Sequence, residues 1–158
     1  MPQFEILGPR NPLFTGRAIE LNAIHQYFSH PPLEDRLVPR IYPLTGPSGI
    51  GKTQIALEYA HRHRQEYHAL FWVQATETFF IEKDFREILT CVAFPVNVAT
   101  LRPRELIASV HSWLKNNPGW LIIFDGITSA AALTALPKEG SGNILLTVCD
   151  DVPLNAKT

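Results

Sequence analysis

"LTGPSGIGKTQIALEYAHRH", residues 44–63, sets three glycines, a proline and a serine ahead of one lysine and then passes directly into a helical pattern. Its core, Gly46-Pro47-Ser48-Gly49-Ile50-Gly51-Lys52-Thr53, fits G-x-x-x-x-G-K-[ST]. IYPLT at 41–45 is apolar and of strand length, while Ile55, Ala56, Tyr59 and Ala60 recur on one helical face afterwards. Strand, bare loop and helix together give the pattern its mechanism. Small residues let backbone N–H groups curl around a phosphate, and the helix presents unpaired amides at the positive end of its dipole. The candidate cradle is Gly46, Pro47, Ser48, Gly49, Ile50, Gly51, Lys52, Thr53 and Gln54. Lys52 is expected to reach the β- and γ-phosphates, and Thr53 to offer its hydroxyl to Mg²⁺.

A second motif points to the same ion. WLIIFDG, residues 120–126, reads as a buried strand ending in Asp125. A carboxylate at the C-terminal edge of a parallel strand faces the crevice where open α/β sheets bind ligands, so Asp125 can hold the Mg²⁺ water shell opposite Thr53. Lys52 and Asp125 are thus the candidate catalytic pair, with Thr53 and Asp125 the metal pair. Four apolar residues before an acid are weak evidence alone; the two motifs support each other.

The remaining segments alternate. A helix is expected from about Arg17 to Ser29 on Leu21, Ile24 and Phe28, a linker at 30–40, a strand at 69–75 and a helix marked by Phe85, Ile88, Leu89 and Val92. Leu106, Ile107, Val110 and Leu114 mark another helix, an alanine-rich short helix spans about 128–136, and 143–148 supplies a strand. Strands separated by helix-length crossovers predict an α/β fold with a mostly parallel sheet covered on both faces, a three-layer arrangement. Pro43 lacks the N–H that a central strand needs, which puts the 41–45 strand at a sheet edge.

Composition narrows the function. With 158 residues, 46% hydrophobic and 18% charged, the chain suits one globular domain with a real core. A net charge of -1 gives no global attraction to nucleic acid or an anionic membrane, so neither is expected as a partner. No stretch approaches the roughly 18 apolar residues of a membrane span and the N-terminus lacks a basic, then apolar, leader, which predicts a cytoplasmic protein. Cys91 and Cys149 have neither zinc-site spacing nor disulfide density and read as buried structural thiols. His61 and His63, two apart on a helix, point to different faces and read as surface residues. Trp72, Trp113 and Trp120 lie in apolar runs and read as core.

FTGRAIELNAIHQYF (14–28), GPSGIGKTQIALEYAHRH (46–63), ALFWVQA (69–75), ELIASVHSWLKNNPGWLIIFDG (105–126) and GSGNILLTV (140–148) resemble, in order and spacing, the NB-ARC nucleotide-binding domain of STAND-type P-loop NTPases. These are the switch modules of NOD-like receptors, plant resistance proteins and related regulators. The resemblance covers about residues 12–149. It implies a P-loop NTPase fold, with residues 1–13 as an N-terminal arm and 14–158 as the nucleotide-binding domain. It also implies that Gly16 and Arg17 border the base and phosphates, against the plainer reading of Arg17 as a surface ion pair with Glu20 or Glu58. The absence of an N-K-x-D-like motif favours ATP or ADP over GTP.

The departures from the family pattern carry as much weight. Family members usually follow the Mg²⁺ acid with a second Asp or Asn, where this chain has Gly126. After Thr147 they carry another Thr and an Arg that senses the γ-phosphate, where this chain has Val148 and Cys149. Loss of such an arginine costs orders of magnitude in rate, so nucleotide binding with at most weak ATPase activity is expected. Glu77 is a possible substitute base but reads more simply as a loop acid. The family's last strand, helical subdomain and winged helix have no counterpart after residue 149, so a truncated form is expected. Its open edge would then be covered by the 1–12 arm or by self-association. The leading expectation is a regulatory switch in signalling of the innate-immunity type, acting through protein partners. The alternatives are an active P-loop ATPase and a degenerate interaction module that binds no nucleotide.

Overall fold

The computed structural model describes residues 1–30, 37–149 and 152. Along the chain run β1 (Phe4–Ile6), α1 (Ala18–Ser29), β2 (Arg40–Thr45), α2 (Lys52–His63), β3 (Ala69–Gln74), α3 (Thr78–Cys91), α4 (Pro103–Asn116), β4 (Trp120–Ile127) and β5 (Gly142–Val148). Short 3₁₀ turns at Arg64–Glu66, Val98–Thr100 and Ala130–Ala135 join them. The strands form one parallel sheet in the order β1-β3-β4-β5-β2. Most of the expected linker and the chain beyond Cys149 lie outside the described residues, Val152 excepted. Among the described residues no helix is long and apolar enough to cross a membrane.

The sheet is apolar on both faces because helices cover both. Alternation along a strand then assigns each residue a side. On one side Phe71, Val73, Ile122, Phe124, Ile144 and Leu146 join Phe85, Leu89, Leu106 and Leu114 from α3 and α4. On the other, Leu70, Leu121, Ile123 and Leu145 join Leu21, Ile24, Ile55, Ala56 and Tyr59 from α1 and α2. Trp120 and Trp113 are in the first core, whereas Trp72 is only half-buried against the second. The two faces have different consequences for the site.

Two expectations are sharpened and one needs correction. The short alanine-rich helix expected near 128–136 is a 3₁₀ helix at Ala130–Ala135, consistent with a segment too short to nucleate an α-helix. The helix marked by Phe85 runs from Thr78 to Cys91, which leaves Val92 just past its end. The N-terminal segment does not cover the β2 edge: β1 pairs with β3 at the opposite end of the sheet. Pro43 does lie on an edge strand, since among the described residues β2 pairs only with β5.

Candidate functional site

Parity decides where the acid of β4 points. Asp125 follows Leu121 and Ile123 at intervals of two, so it emerges on the face occupied by α2. The same counting from Leu145 brings Thr147 of β5 to that face. Thr53, at the start of α2, donates from Oγ1 to Asp125 Oδ1 at 2.8 Å, and Thr147 Oγ1 donates to the same oxygen at 2.6 Å. The two motifs, 72 residues apart in sequence, meet in one hydrogen bond. A carboxylate accepts at about four lone-pair positions, so Asp125 keeps capacity for a cation's water shell.

The loop ahead of α2 has the shape that its glycines permit. Gly46, Gly49 and Gly51 all have positive φ, at 139°, 89° and 94°. Lys52 folds back over this loop, and its Nζ donates to the carbonyls of Gly46 and Pro47. An ammonium has three donors, so with two on the loop's rim the charge is anchored there with one N–H to spare. Gly51 is the N-cap of α2 and supplies no side-chain cap, which leaves the first-turn amides available to an anion. These residues fit a polyphosphate with Mg²⁺.

Arg17 reaches the same loop. It stands at the N-cap of α1 in left-handed backbone (φ 61°), next to Gly16 (φ 77°), and its Nη2 donates to the Ile50 carbonyl. Its ion pair is with Glu20, at 3.2 Å. Glu58, the other expected partner, is instead buried and taken by Arg10 and Arg62, at 2.6 and 2.8 Å. Hydrogen bonding from Arg10, assisted by Arg62, holds the Glu58 carboxyl below the usual range despite its burial.

Those contacts tie the N-terminal segment along α2. Arg10 forks onto Glu58, Asn11 Nδ2 donates to Gln54 Oε1 at 3.1 Å, and His61 meets the Gly8 carbonyl at 2.8 Å. Ile6, Leu7, Gly8 and Pro9 line a cavity of about 660 Å³ together with Thr53, Leu57, Trp72, Gln74, Asp84 and Asp125. Sequence reading missed Asp84. Its Oδ2 accepts from the backbone N–H of Gln74 at 2.8 Å, which caps the end of β3 and brings a second carboxylate to the cavity. A signal existed: Asp84 falls within the apolar stripe Ile81, Phe85 and Ile88 of α3, where an acid is out of place.

The end of β4 also explains a departure from the family pattern. The β4–β5 register shifts between Phe124 and Ile127, and Gly126 adopts φ 86° in that irregularity. Its N–H donates to Thr147 Oγ1 at 2.7 Å. A Cβ there would approach Thr76 Cγ2 to 2.7 Å, so neither backbone nor space welcomes an acid. Val148 is buried; Cys149, like Cys91, is only half-buried rather than buried as expected, and its thiol carries no positive charge. Glu77 stands exposed at the N-cap position of α3 without a side-chain cap bond, and it does not line the cavity.

A family model described as the NB-ARC domain matches residues 29–152. A protein of Hyaloscypha variabilis described as a nucleotide-binding leucine-rich repeat (NLR)-like protein is 31% identical over 104 residues, 63% of this chain and 10% of the relative. The chain therefore spans about a tenth of that relative. Among solved structures, the Aeropyrum pernix ORC2 protein in its ADPNP-ADP complexes is similar with a TM-score of 0.58 and 16% identity, over 92% of this chain and 43% of that one. Its ADP form gives 0.54 and 18%, over 91% and 44%. At such identities the likeness is one of fold.

Proposed function

The chain belongs to the NB-ARC domain family, and from that premise we propose that it binds ADP or ATP with Mg²⁺ as the switch of a larger signalling protein, with weak or absent hydrolysis. The observation that carries this reading is the 2.8 Å bond from Thr53 to Asp125, which joins loop and acid at one point. Mg²⁺ would supply charge neutralisation between phosphate oxygens. Residues 46–51 would surround the phosphates with amides, and Lys52 would add its ammonium while anchored on the loop's rim. Thr53 and Asp125 would orient the hydrated ion. Gly16 and Arg17, beside the loop, would border the base and phosphate tail.

Weak hydrolysis follows from the residues that stand where the family resemblance implies a water-polarising side chain and a γ-phosphate arginine. Gly126 cannot polarise water, and neither Val148 nor Cys149 can stabilise charge on a transferring phosphoryl group. Binding would therefore outlast turnover, which suits a switch better than a motor. A cytoplasmic setting, signalling of the innate-immunity type, and output through protein partners or self-association belong to the same proposal.

Titration calorimetry with ADP and ATP in Mg²⁺ tests it, with GTP as comparison. Lys52→Ala should weaken adenine-nucleotide affinity by about 10- to 1000-fold, since charge-assisted phosphate bonds are lost. Absence of binding by the natural sequence would favour the interaction module. Sustained ATP turnover abolished by Asp125→Ala would instead make the protein an ATPase.

A further inference from the structure

We infer that His25, His63 and Glu66 form a site for a divalent transition-metal ion of the zinc type, separate from the phosphate loop. The three come from different elements: the middle of α1, the last residue of α2, and the 3₁₀ turn that follows it. One ligand atom from each lies within 4.8 Å of the others. His63 Nδ1 is 3.0 Å from Glu66 Oε1, and His25 Nδ1 is 3.9 Å from Glu66 Oε2. Two imidazoles and a carboxylate are a donor set suited to zinc, with a water completing a tetrahedron.

Two observations favour an ion over an ordinary hydrogen-bonded cluster. First, His25 Nδ1 is buried and has no hydrogen-bond partner, although it faces the carboxylate. Buried polar atoms are rarely left so. Second, the other nitrogen of that ring meets Ser29 Oγ at 3.4 Å. If Nε2 carries the proton and donates it to Ser29, the Nδ1 lone pair is directed inward, as second-shell partners of metal-bound histidines arrange. The His25 and His63 rings lie 4.1 Å apart and nearly parallel, at 15°, and Tyr59 backs His63 at 4.5 Å.

Bonds of about 2.0–2.1 Å to zinc require donor atoms about 3.4 Å apart, so the set must draw in by roughly an ångström and the rings must tilt. Glu66 can supply much of that movement, because its side chain is half exposed. His63 is eleven residues from Lys52 along α2, a rise of about 16 Å, so the ion would be distinct from the nucleotide's Mg²⁺. It would pin α1 to the far end of the helix that carries the phosphate loop.

The test is titration of the whole chain with Co²⁺, read by its tetrahedral d–d absorption, followed by displacement with Zn²⁺. One equivalent should bind, and affinity should fall by about tenfold or more in each of His25→Ala, His63→Gln and Glu66→Gln. His61→Ala and Asp125→Ala should leave the signal unchanged. Circular dichroism identifies any variant that fails to fold, and the remaining two then decide. No tetrahedral signal in the natural sequence, a signal that survives in every folded variant of the trio, or one lost with Asp125 would overturn the assignment.

Discussion

The two faces of this sheet use the same alternation for different ends. Under α3 and α4 the inward residues are almost wholly apolar, from Phe71 to Leu146, and they pack around Phe85, Leu106 and Leu114. Under α1 and α2 the inner rows begin the same way, with Leu70, Leu121 and Leu145, but end at the C-terminal edge in Gln74, Asp125 and Thr147. Polar groups are tolerated there because each keeps water or a partner: Gln74 is exposed, and Asp125 accepts from both Thr53 and the buried Thr147. The buried Glu58 belongs to this face too, and two arginines hold it. One face therefore serves mainly as core, and the other combines core with site.

That division can be broken by substitution. Phe85→Ala removes a fully buried ring from the apolar face and should cost about 3–5 kcal/mol in chemical denaturation. Nucleotide affinity of the folded fraction should hardly change; a large loss of affinity there would end the division. Thr147→Val keeps the shape of a buried residue on the site face but deletes its bonds to Asp125 and from Gly126. Stability should fall by about 1–3 kcal/mol, and Mg²⁺-dependent affinity should fall with it. If only stability changed, Asp125 would need no positioning by its neighbour.

The smallest effect concerns proton uptake on the apolar face. His111 packs by Phe85 and bonds the Ala135 carbonyl at 2.7 Å, and burial lowers its pKa below the ordinary 6.5. An unfolded chain accepts a proton at a pH where this folded imidazole still resists it. Its contribution is therefore fully present above about pH 6.5 and is lost as pH falls through the depressed folded value. Stability measured from pH 7.5 down to 5 should decline less steeply in His111→Gln than in the natural sequence. Equal slopes would show that His111 is not the group responsible.

Much of this was legible in the residues. The glycine-rich loop, its flanking strand and helix, Asp125 and the edge position of Pro43 follow from local pattern, because glycine conformation, periodicity and a missing N–H act within a few residues. Asp84 and the 3₁₀ turn at Ala130–Ala135 were less so, since each depends on what packs alongside. The ring pair His25 and His63 shows the limit most clearly: 38 residues separate them, and only the crossing of α1 with α2 stacks them.

Sequence by itself determined the local features: a bare glycine-rich loop between strand and helix, an acid at a strand end, and Gly126 where the family resemblance implies Asp or Asn. Tertiary structure alone decided which groups meet. It chose β3 rather than β2 as the partner of β1, turned Arg10 onto Glu58, and laid the N-terminal segment along α2. The physical reason is that motif spacing reflects short-range backbone geometry, whereas edge pairing and buried ion pairs are settled by competition among distant surfaces for the same burial.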